Sequence, residues 1–404
     1  MFFKRNLSRL AAILLVPLLV LSMLAFSVSA DGAFGDGGSV DAISEQDEAK
    51  KVDLALECKS AVLMEATTGE ILYEQNPDEA LPPASVTKVM TLLLVMEAIE
   101  EGKITLGDTV RTSAHAASMG GSQIFLKEGE EMSVEDMVKS VVIASANDAA
   151  CALAEHISGS EEAFVKRMNE RAEELGMKNT SFENTNGLDD TAENHLTSAR
   201  DIAIMSRELI KHDKILEYSS IWMDTVRNGM FGLTNTNRLV RFYRGCTGLK
   251  TGSTSKAGFC VSATAERDGV SLICVIMGAE SGDKRNAIAS RLLDWGFANY
   301  GVYTYVPERL EPMRVTGGVS ESVEIGAEDF SCVISKGQMS KVEYAVELPE
   351  SVSAPLKKGD SVGRIVFRCD GKEIGSADIV ALCDVEKIGF FELWCRMLAK
   401  FLLK

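Results

Sequence analysis

A long apolar run with a lysine in its first turn is the feature that most constrains this fold. The stretch "PPASVTKVMTLLLVMEAIEEG" spans residues 82–102, and its apolar content predicts a helix that is buried on nearly all sides. Ser85 and Lys88 are three residues apart, so they share one face of that helix. A lysine placed there loses its hydration, which shifts it toward the neutral form that acts as a base. The stretch therefore predicts a serine–lysine pair within a buried element.

Two further motifs follow this pair along the chain. S-x-x-K alone is a weak signal, because it occurs three times, at residues 85–88, 253–256 and 281–284, and only the first precedes a long apolar helix. S-x-N occurs once, at residues 145–147 between two helical patterns, and K-T-G occurs once, at residues 250–252 on a predicted strand. The three motifs in this order are typical of penicillin-recognising serine enzymes.

The motifs supply the groups that acyl transfer needs. Ser85 is the candidate nucleophile and Lys88 its base. Ser145 is a candidate relay that passes a proton between Lys88 and Lys250 toward the leaving amine. The backbone N–H groups of Ser85 and Ser253 are candidate donors to an oxyanion. These residues form the predicted catalytic centre.

The K-T-G motif also offers two candidate substrate contacts. Gly252 leaves room for substrate backbone against the predicted strand, and Thr251 is a candidate ligand for a terminal carboxylate. Each motif taken alone has an ordinary interpretation. The first reads as a helix N-cap with a snorkelling lysine, the second as a turn, and the third as a strand that ends in a turn.

Over almost all of its length the chain resembles the low-molecular-weight penicillin-binding proteins that are D-alanyl-D-alanine carboxypeptidases. The stretches "SANDAACALAEHISGSEEAF" and "NTNRLVRFYRGCTGLKTGSTSKAGFC" are most similar to the sporulation-associated branch from endospore-forming Gram-positive bacteria. The resemblance implies that Ser85 is acylated, that Asn147 completes the second motif and that Arg285 lies near the substrate carboxylate. For Arg285, a charge on a helix surface is the alternative.

One residue departs from the pattern of some members, which carry histidine after K-T-G where this chain has Ser253. Because the expected contribution at that position is a backbone N–H group, we expect little loss of activity. The resemblance further implies a peptidoglycan stem peptide ending in D-Ala-D-Ala as substrate, β-lactam antibiotics as acylating ligands, and no metal or cofactor.

Two other functions share parts of this pattern. A class A-like β-lactamase uses a loop glutamate for deacylation, and no E-x-x-L-N sequence lies between Ser145 and Lys250. A non-catalytic wall-binding scaffold would keep the fold without the intact motifs. The four histidines lie in no H-E-x-x-H or G-x-S-x-G context, which disfavours metallopeptidases and α/β-hydrolases. A net charge of −17 disfavours nucleic acid as a partner.

Patterning along the chain predicts five segments. Residues 1–30 have basic residues, an apolar core and a small-residue cleavage site, as a signal peptide does, and residues 31–53 read as a flexible tether. Residues 54–303 show strand patterns, a helical block, further strand patterns and a final helix, which predicts an α+β domain with an antiparallel sheet covered by helices. By resemblance this is a penicillin-binding/β-lactamase-like transpeptidase domain with a helical subdomain. Residues 304–384 predict a small all-β domain, and residues 385–404 an amphipathic helix.

The two ends of the chain predict where the protein acts. The signal peptide predicts export, with an uncleaved anchor as the alternative. Charges spread through the tail, including Glu392 and Arg396, disfavour a membrane span, so we expect the helix to lie on the outer face of the cytoplasmic membrane. A helix packed on its own domain is the alternative. The nine cysteines, an odd number mostly in apolar runs, are expected to be reduced.

Overall fold

The computed structural model describes residues 54–189 and 192–402, apart from the side chain of Lys400. The predicted signal peptide and the predicted tether lie outside these residues. The strands that precede residue 300 are β1 (Ser60–Glu65), β2 (Ile71–Gln75), β3 (Thr109–Arg111), β4 (Glu131–Ser133), β5 (Met223–Val226), β6 (Phe231–Thr234), β7 (Cys246–Thr254), β8 (Gly258–Arg267) and β9 (Val270–Ala279).

The helices of the same region surround the sheet. They are α1 (Lys88–Glu100), α2 (Ala114–Ala117), α3 (Val134–Ala144), α4 (Asn147–Ser158), α5 (Glu161–Glu174), α6 (Ala199–Leu209), α7 (Asp213–Ser219), α8 (Leu239–Phe242) and α9 (Gly282–Asn299). Several begin at a serine whose hydroxyl accepts from the backbone N–H three residues on, as Ser133, Ser160 and Ser198 do. These hydroxyls satisfy backbone N–H groups that have no partner within the helix.

A five-stranded antiparallel sheet of order β2-β1-β9-β8-β7 forms the middle of this region. Alternate side chains of β9 enter two separate cores. Cys274 and Ile276 pack with Leu292 of α9, whereas Val275 and Met277 join the core that includes α1 and α6. The strand is therefore apolar on both faces because helices cover both faces, and the predicted α+β class is confirmed.

Helix α1 lies within the larger core and has no apolar stripe. Its residues from Lys88 to Met96 are all buried. A helix that is surrounded on all sides needs no polar face, which accounts for the even spread of apolar residues in the sequence. The helix meets β7 on one side and α3, α4 and α6 on others, so its first turn lies between sheet and helices.

From residue 300 onward the described chain is mostly β-structure. The strands are β10 (Tyr300–Tyr305), β11 (Met313–Thr316), β12 (Ser322–Val323), β13 (Ile325–Ala327), β14 (Phe330–Ser335), β15 (Val342–Glu347), β16 (Val352–Ser353), β17 (Ser361–Cys369) and β18 (Lys372–Ala381). They form small sheets, the largest of order β13-β18-β17-β15, around a core that includes Ile365, Phe367 and Ile379. The predicted all-β character of this region is confirmed.

A final helix, α10 (Phe390–Leu402), follows the β-strands. The predicted tail began at residue 385, but the helix begins five residues later. The difference has a packing reason. Val385 is buried in the core of the β-strands and exchanges backbone hydrogen bonds with Leu356, and Lys387 forms a β-bridge with Gly318. No helix within residues 54–189 and 192–402 has the length and hydrophobicity that a membrane span requires.

Candidate active site

Ser85 lies in a tight turn at the entrance to α1. The turn Ala84–Thr87 is a 3₁₀-helix that runs directly into α1. Ala84 has a φ of +49°, a left-handed conformation that is strained for a residue with a Cβ. Ala84 is buried, whereas Ser85 is half-buried, so the turn presents the serine side chain at the edge of an otherwise buried element.

Lys88 is fully buried beside the serine, as the sequence predicted. Its Nζ lies 3.0 Å from Ser85 Oγ and donates a hydrogen bond of 2.8 Å to the carbonyl oxygen of Asn186. Burial holds the pKa of the Lys88 ammonium well below its usual range, and the positive charge of Lys250 lowers it further. The buried Asp148 carboxylate acts in the opposite direction and raises this pKa. A neutral amine beside a hydroxyl is equipped to accept its proton.

The carbonyl that binds Lys88 belongs to a loop that sequence reasoning did not identify. In the same loop, the carbonyl oxygen of Thr185 accepts from Thr91 Oγ1 at 2.6 Å. Asn184 Oδ1 accepts from the backbone N–H of Gly187 at 2.7 Å, which closes the loop on itself. Two neighbouring carbonyls of this loop therefore anchor two side chains of α1.

A buried histidine holds the nucleophile turn from its other side. The backbone N–H of Glu183 donates to His195 Nδ1 at 2.9 Å, so the ring proton lies on Nε2 and is donated to Thr87 Oγ1 at 2.7 Å. Thr87 Oγ1 in turn donates to the carbonyl oxygen of Ala84 at 2.9 Å. Burial lowers the pKa of His195 to about 4, so the ring is neutral. The sequence analysis gave this histidine no role.

The second motif occupies the turn between α3 and α4. Ser145 caps α3 with a φ of +62° and is buried. Asn147 opens α4, and its side-chain Nδ2 donates to the carbonyl oxygen of Gly120 at 2.7 Å. Its carboxamide oxygen is buried and has no hydrogen-bond partner among the described residues. An acceptor left in this state is available to a substrate N–H group.

The third motif lies on β7, at the edge of the sheet. Lys250 is fully buried and donates to the carbonyl oxygen of Thr251 at 2.9 Å. Burial lowers its pKa to about 7, with a further contribution from the charge of Arg285. Thr251 is buried and its hydroxyl donates to Thr236 Oγ1 at 2.8 Å, whereas Ser253 is exposed. The motif thus contributes a second amine with a lowered pKa.

Gly252 has a different packing role from the expected one. A Cβ at this position would lie 2.7 Å from the backbone nitrogen of Ser85 and 2.8 Å from the carbonyl oxygen of Pro83. The glycine therefore lets the strand approach the nucleophile turn itself. Space for substrate backbone was the expected reason, but the close neighbours are atoms of the chain.

Arg285 lies in the first turn of α9 and is buried, so the alternative of a helix-surface charge is wrong. Its guanidinium donates to Asn286 Oδ1 at 3.0 and 3.1 Å and to the carbonyl oxygen of Cys260 at 3.4 Å. Burial lowers the pKa of Arg285, and its charge acts on Lys250. The residue therefore belongs to the electrostatic surroundings of the third motif.

Two family matches cover most of the chain. Residues 45–281 match the family described as D-alanyl-D-alanine carboxypeptidase. Residues 308–387 match the family described as penicillin-binding protein 5, C-terminal domain. The stretch between the two matches, residues 282–307, contains α9 and β10.

Individual relatives extend over both regions. D-alanyl-D-alanine carboxypeptidase DacF of Bacillus subtilis is 44% identical over 356 residues, which are 86% of this chain and 91% of the relative. D-alanyl-D-alanine carboxypeptidase DacC of Escherichia coli is 36% identical over 86% of this chain and 89% of its own length.

Solved structures support the same assignment. The structure of penicillin binding protein 5 from Haemophilus influenzae superposes with a TM-score of 0.74 at 36% sequence identity, and the match covers 82% of this chain and 98% of that one. The predicted fold and family are confirmed, and the chain belongs to the D-alanyl-D-alanine carboxypeptidase family of serine peptidases.

Proposed function

We propose that the protein removes the terminal D-alanine from peptidoglycan stem pentapeptides through an acyl-enzyme on Ser85. The observation that supports this most is the fully buried Lys88, whose Nζ lies 3.0 Å from Ser85 Oγ. Burial lowers the pKa of that lysine, and the carbonyl oxygen of Asn186 fixes its position. A serine hydroxyl needs such a base because it is a weak nucleophile on its own.

Acylation follows from this pair. Lys88 Nζ takes the hydroxyl proton while Ser85 Oγ bonds to the carbonyl carbon between the two D-alanines. The oxyanion that forms is held by the backbone N–H groups of Ser85 and Ser253. The C–N bond then breaks. Ser145 donates one proton to the leaving amine of the terminal D-alanine and regains one from the Lys250 ammonium, and the proton that Lys88 took from Ser85 restores that ammonium.

The remaining site residues bind the substrate. Asn147 offers its unpartnered carboxamide oxygen to an N–H group of the stem peptide. Lys250, Thr251 and Arg285 provide positive charge and a hydroxyl for the terminal carboxylate. Water then hydrolyses the acyl ester and regenerates Ser85. A β-lactam acylates Ser85 in the same way, because its amide carbonyl carbon takes the place of the peptide carbonyl carbon.

The loop beside Lys88 favours a carboxypeptidase over a class A-like β-lactamase. In the latter a carboxylate on such a loop activates the water that releases the acyl group. Here the loop group that contacts Lys88 Nζ is the backbone carbonyl of Asn186. Release of a bound penicillin is therefore expected to be slow.

One experiment separates these functions. A stem pentapeptide is incubated with the wild-type protein and with Ser85→Ala, and mass spectrometry follows the loss of one alanine. The wild type should release it and the variant should not. In parallel, a fluorescent penicillin should give a covalent label that is released slowly. Rapid turnover of the label would favour a β-lactamase, and no label together with no alanine release would favour a scaffold.

We further propose that the protein is exported and associates with the outer face of the cytoplasmic membrane through α10. The apolar residues of this helix are exposed, among them Phe390, Phe391 and Phe401 at 84%, 75% and 65%. Such side chains are suited to the interface between lipid headgroups and acyl chains. The helix lies along a membrane surface without crossing it.

Arg396 of α10 contacts the protein itself. Its guanidinium donates to the carbonyl oxygens of Val319 at 2.6 Å and Gly318 at 3.4 Å, and Glu321 lies 3.9 Å away. This arginine therefore docks the polar side of α10 on the β-strands. That contact leaves the aromatic side free, which favours the membrane-facing proposal over a helix packed by its apolar face.

A further inference from the structure

Three side chains outside the acyl-transfer site form a cluster of metal-ligating groups. One ligand atom from each of His115, Cys151 and Glu155 lies within 4.8 Å of the other two. None of these residues takes part in the reaction described above. They come from two separate helices, α2 and α4, so no short sequence motif joins them.

Two of the three share one face of α4. Cys151 and Glu155 are four residues apart, which places their side chains next to each other on the helix. Cys151 is fully buried. Glu155 Oε2 is also shielded from solvent and has no hydrogen-bond partner among the described residues. A carboxylate oxygen that is buried without a donor is costly, and a cation is one way to satisfy it.

The third ligand is held in place by an ion pair. His115 Nε2 lies 2.7 Å from Glu161 Oε2, at the start of α5. The other oxygen of Glu161 accepts from the backbone N–H of Thr185 at 3.1 Å and from its hydroxyl at 2.7 Å. Glu161 is thus fixed on both sides, and it fixes the imidazole beside the thiol. Carboxylate partners of this kind commonly orient histidine ligands of metals.

We propose that His115, Cys151 and Glu155 bind one Zn²⁺ ion. Zinc accepts imidazole, thiolate and carboxylate ligands at about 2.0–2.3 Å in tetrahedral geometry, which sets the ligand atoms about 3.3–3.8 Å apart. The ligand atoms lie within 4.8 Å of one another, so each pair has to close by at most about 1.5 Å to reach that spacing. The mixed ligand set excludes Ca²⁺ and Mg²⁺, which select oxygen atoms. On binding, the Cys151 thiol loses its proton and its sulfur bonds to the ion.

The His115 side of the site is open to solvent. The side chain of His115 is 51% exposed. His115 and Glu161 also line a surface pocket that continues to Asn184 and Asn186, next to the loop that contacts Lys88. A water molecule from this pocket completes the tetrahedron. The family resemblance implies no metal for the reaction itself, and no local spacing in the sequence joins these three ligands, because they meet only through tertiary contacts.

The test measures zinc binding by the purified full chain. The protein is treated with a chelator, dialysed against micromolar ZnCl₂ and analysed for bound zinc, in a background in which the exposed Cys383 and Cys395 are changed to serine. We expect one zinc per chain. His115→Asn, Glu155→Gln and Cys151→Ser should each weaken binding by at least about tenfold, since even outer partners of metal ligands contribute that much.

A second histidine–glutamate pair provides the matched control. His212 Nδ1 lies 3.2 Å from Glu100 Oε2, and among the described residues this pair belongs to no group of three metal-ligating side chains. His212→Asn should leave zinc binding unchanged. Covalent penicillin labelling of each variant establishes that it is folded. If the buried Cys151→Ser variant does not fold, His115→Asn still tests the site, because the His115 side chain is half exposed.

Spectroscopy identifies the sulfur ligand. Co²⁺ added in place of zinc should give a thiolate-to-cobalt charge-transfer band in the near ultraviolet, which Cys151→Ser should abolish. Zinc should also raise the thermal unfolding temperature of the parent protein but not that of His115→Asn. Absence of bound zinc at micromolar free ion, or binding that survives all three ligand substitutions, would overturn the proposal.

Discussion

Gly187 lies so close to the nucleophile turn that a Cβ at its position would stand 1.9 Å from the carbonyl oxygen of Ala84. Gly187 has a φ of +84°, and Ala84 itself has the strained φ of +49°. The loop that binds Lys88 therefore presses on the residue before Ser85, and only a glycine permits that approach. Strain in the turn persists because the loop on one side and β7 on the other hold it.

Gly187→Ala is expected to displace the turn and to slow acylation by penicillin about 100-fold, because a shift of about 1 Å at a nucleophile has effects of that size. The matched control is Gly176→Ala. That position has a φ of +72° but no atom within 4 Å of the added Cβ, so the variant carries backbone strain alone. Stopped-flow measurement of label formation compares the two. Wild-type acylation in a folded Gly187→Ala protein would show that the contact does not position Ser85.

Ser85 and Lys88 are expected to act as one unit. Ser85→Ala and Lys88→Ala should each reduce alanine release from a stem pentapeptide by at least about 10⁴-fold, and the double variant should lose little more than either single one. Thermal unfolding of each variant controls for the loss of the bond from Lys88 to Asn186. Multiplicative effects of the two substitutions would indicate that the residues act independently.

Acylation should depend on pH through the two buried lysines. The rate should fall toward acid pH as Lys88 gains a proton and ceases to be a base. It should fall again on the alkaline side as Lys250, with a pKa of about 7, loses the proton that it supplies. The charge of Arg285 disfavours the Lys250 ammonium, so Arg285→Gln should raise the Lys250 pKa and move the alkaline limb upward. If the alkaline limb of the Arg285→Gln profile does not move, Lys250 is not the group that supplies the proton.

The motifs made the centre of the site predictable, but not its supports. S-x-x-K, S-x-N and K-T-G carry local signals, since each falls at a helix start, a turn or a strand. The contacts of Lys88 with Asn186 and of Thr87 with His195 join residues 98 and 108 positions apart, and neither has a local pattern. No local pattern marks Gly187 either, because its contact with Ala84 also joins distant parts of the chain. The closeness of Gly252 to Ser85 depends on how β7 packs on the turn, which only the fold specifies.

The tail is expected to bind membranes through its aromatic side. Phe391→Glu together with Trp394→Glu should lower binding to vesicles at least about tenfold, because each change loses apolar burial and adds a charge at the interface. Phe242→Glu, at an exposed phenylalanine elsewhere, is the control. Binding should be tighter to anionic than to neutral vesicles, because the tail carries Lys400 and Lys404 in addition to the docked Arg396.

Truncation gives a second test of the tail. The cut should follow Gly389, since Val385 belongs to the β-strand core and its loss would disturb the fold. The shortened protein should be released from membranes and cleave small peptides at the full-length rate. If it still pellets with vesicles, the anchor assignment is wrong.

The most direct test of the account is to locate the covalent adduct. The protein is trapped with penicillin, digested and mapped by tandem mass spectrometry. We predict a single adduct on the peptide that contains Ser85, carried by the Ser85 side chain, and no adduct in a folded Ser85→Ala variant. An adduct on any other residue, or labelling that persists in Ser85→Ala, would contradict the assignment of Ser85 as the nucleophile.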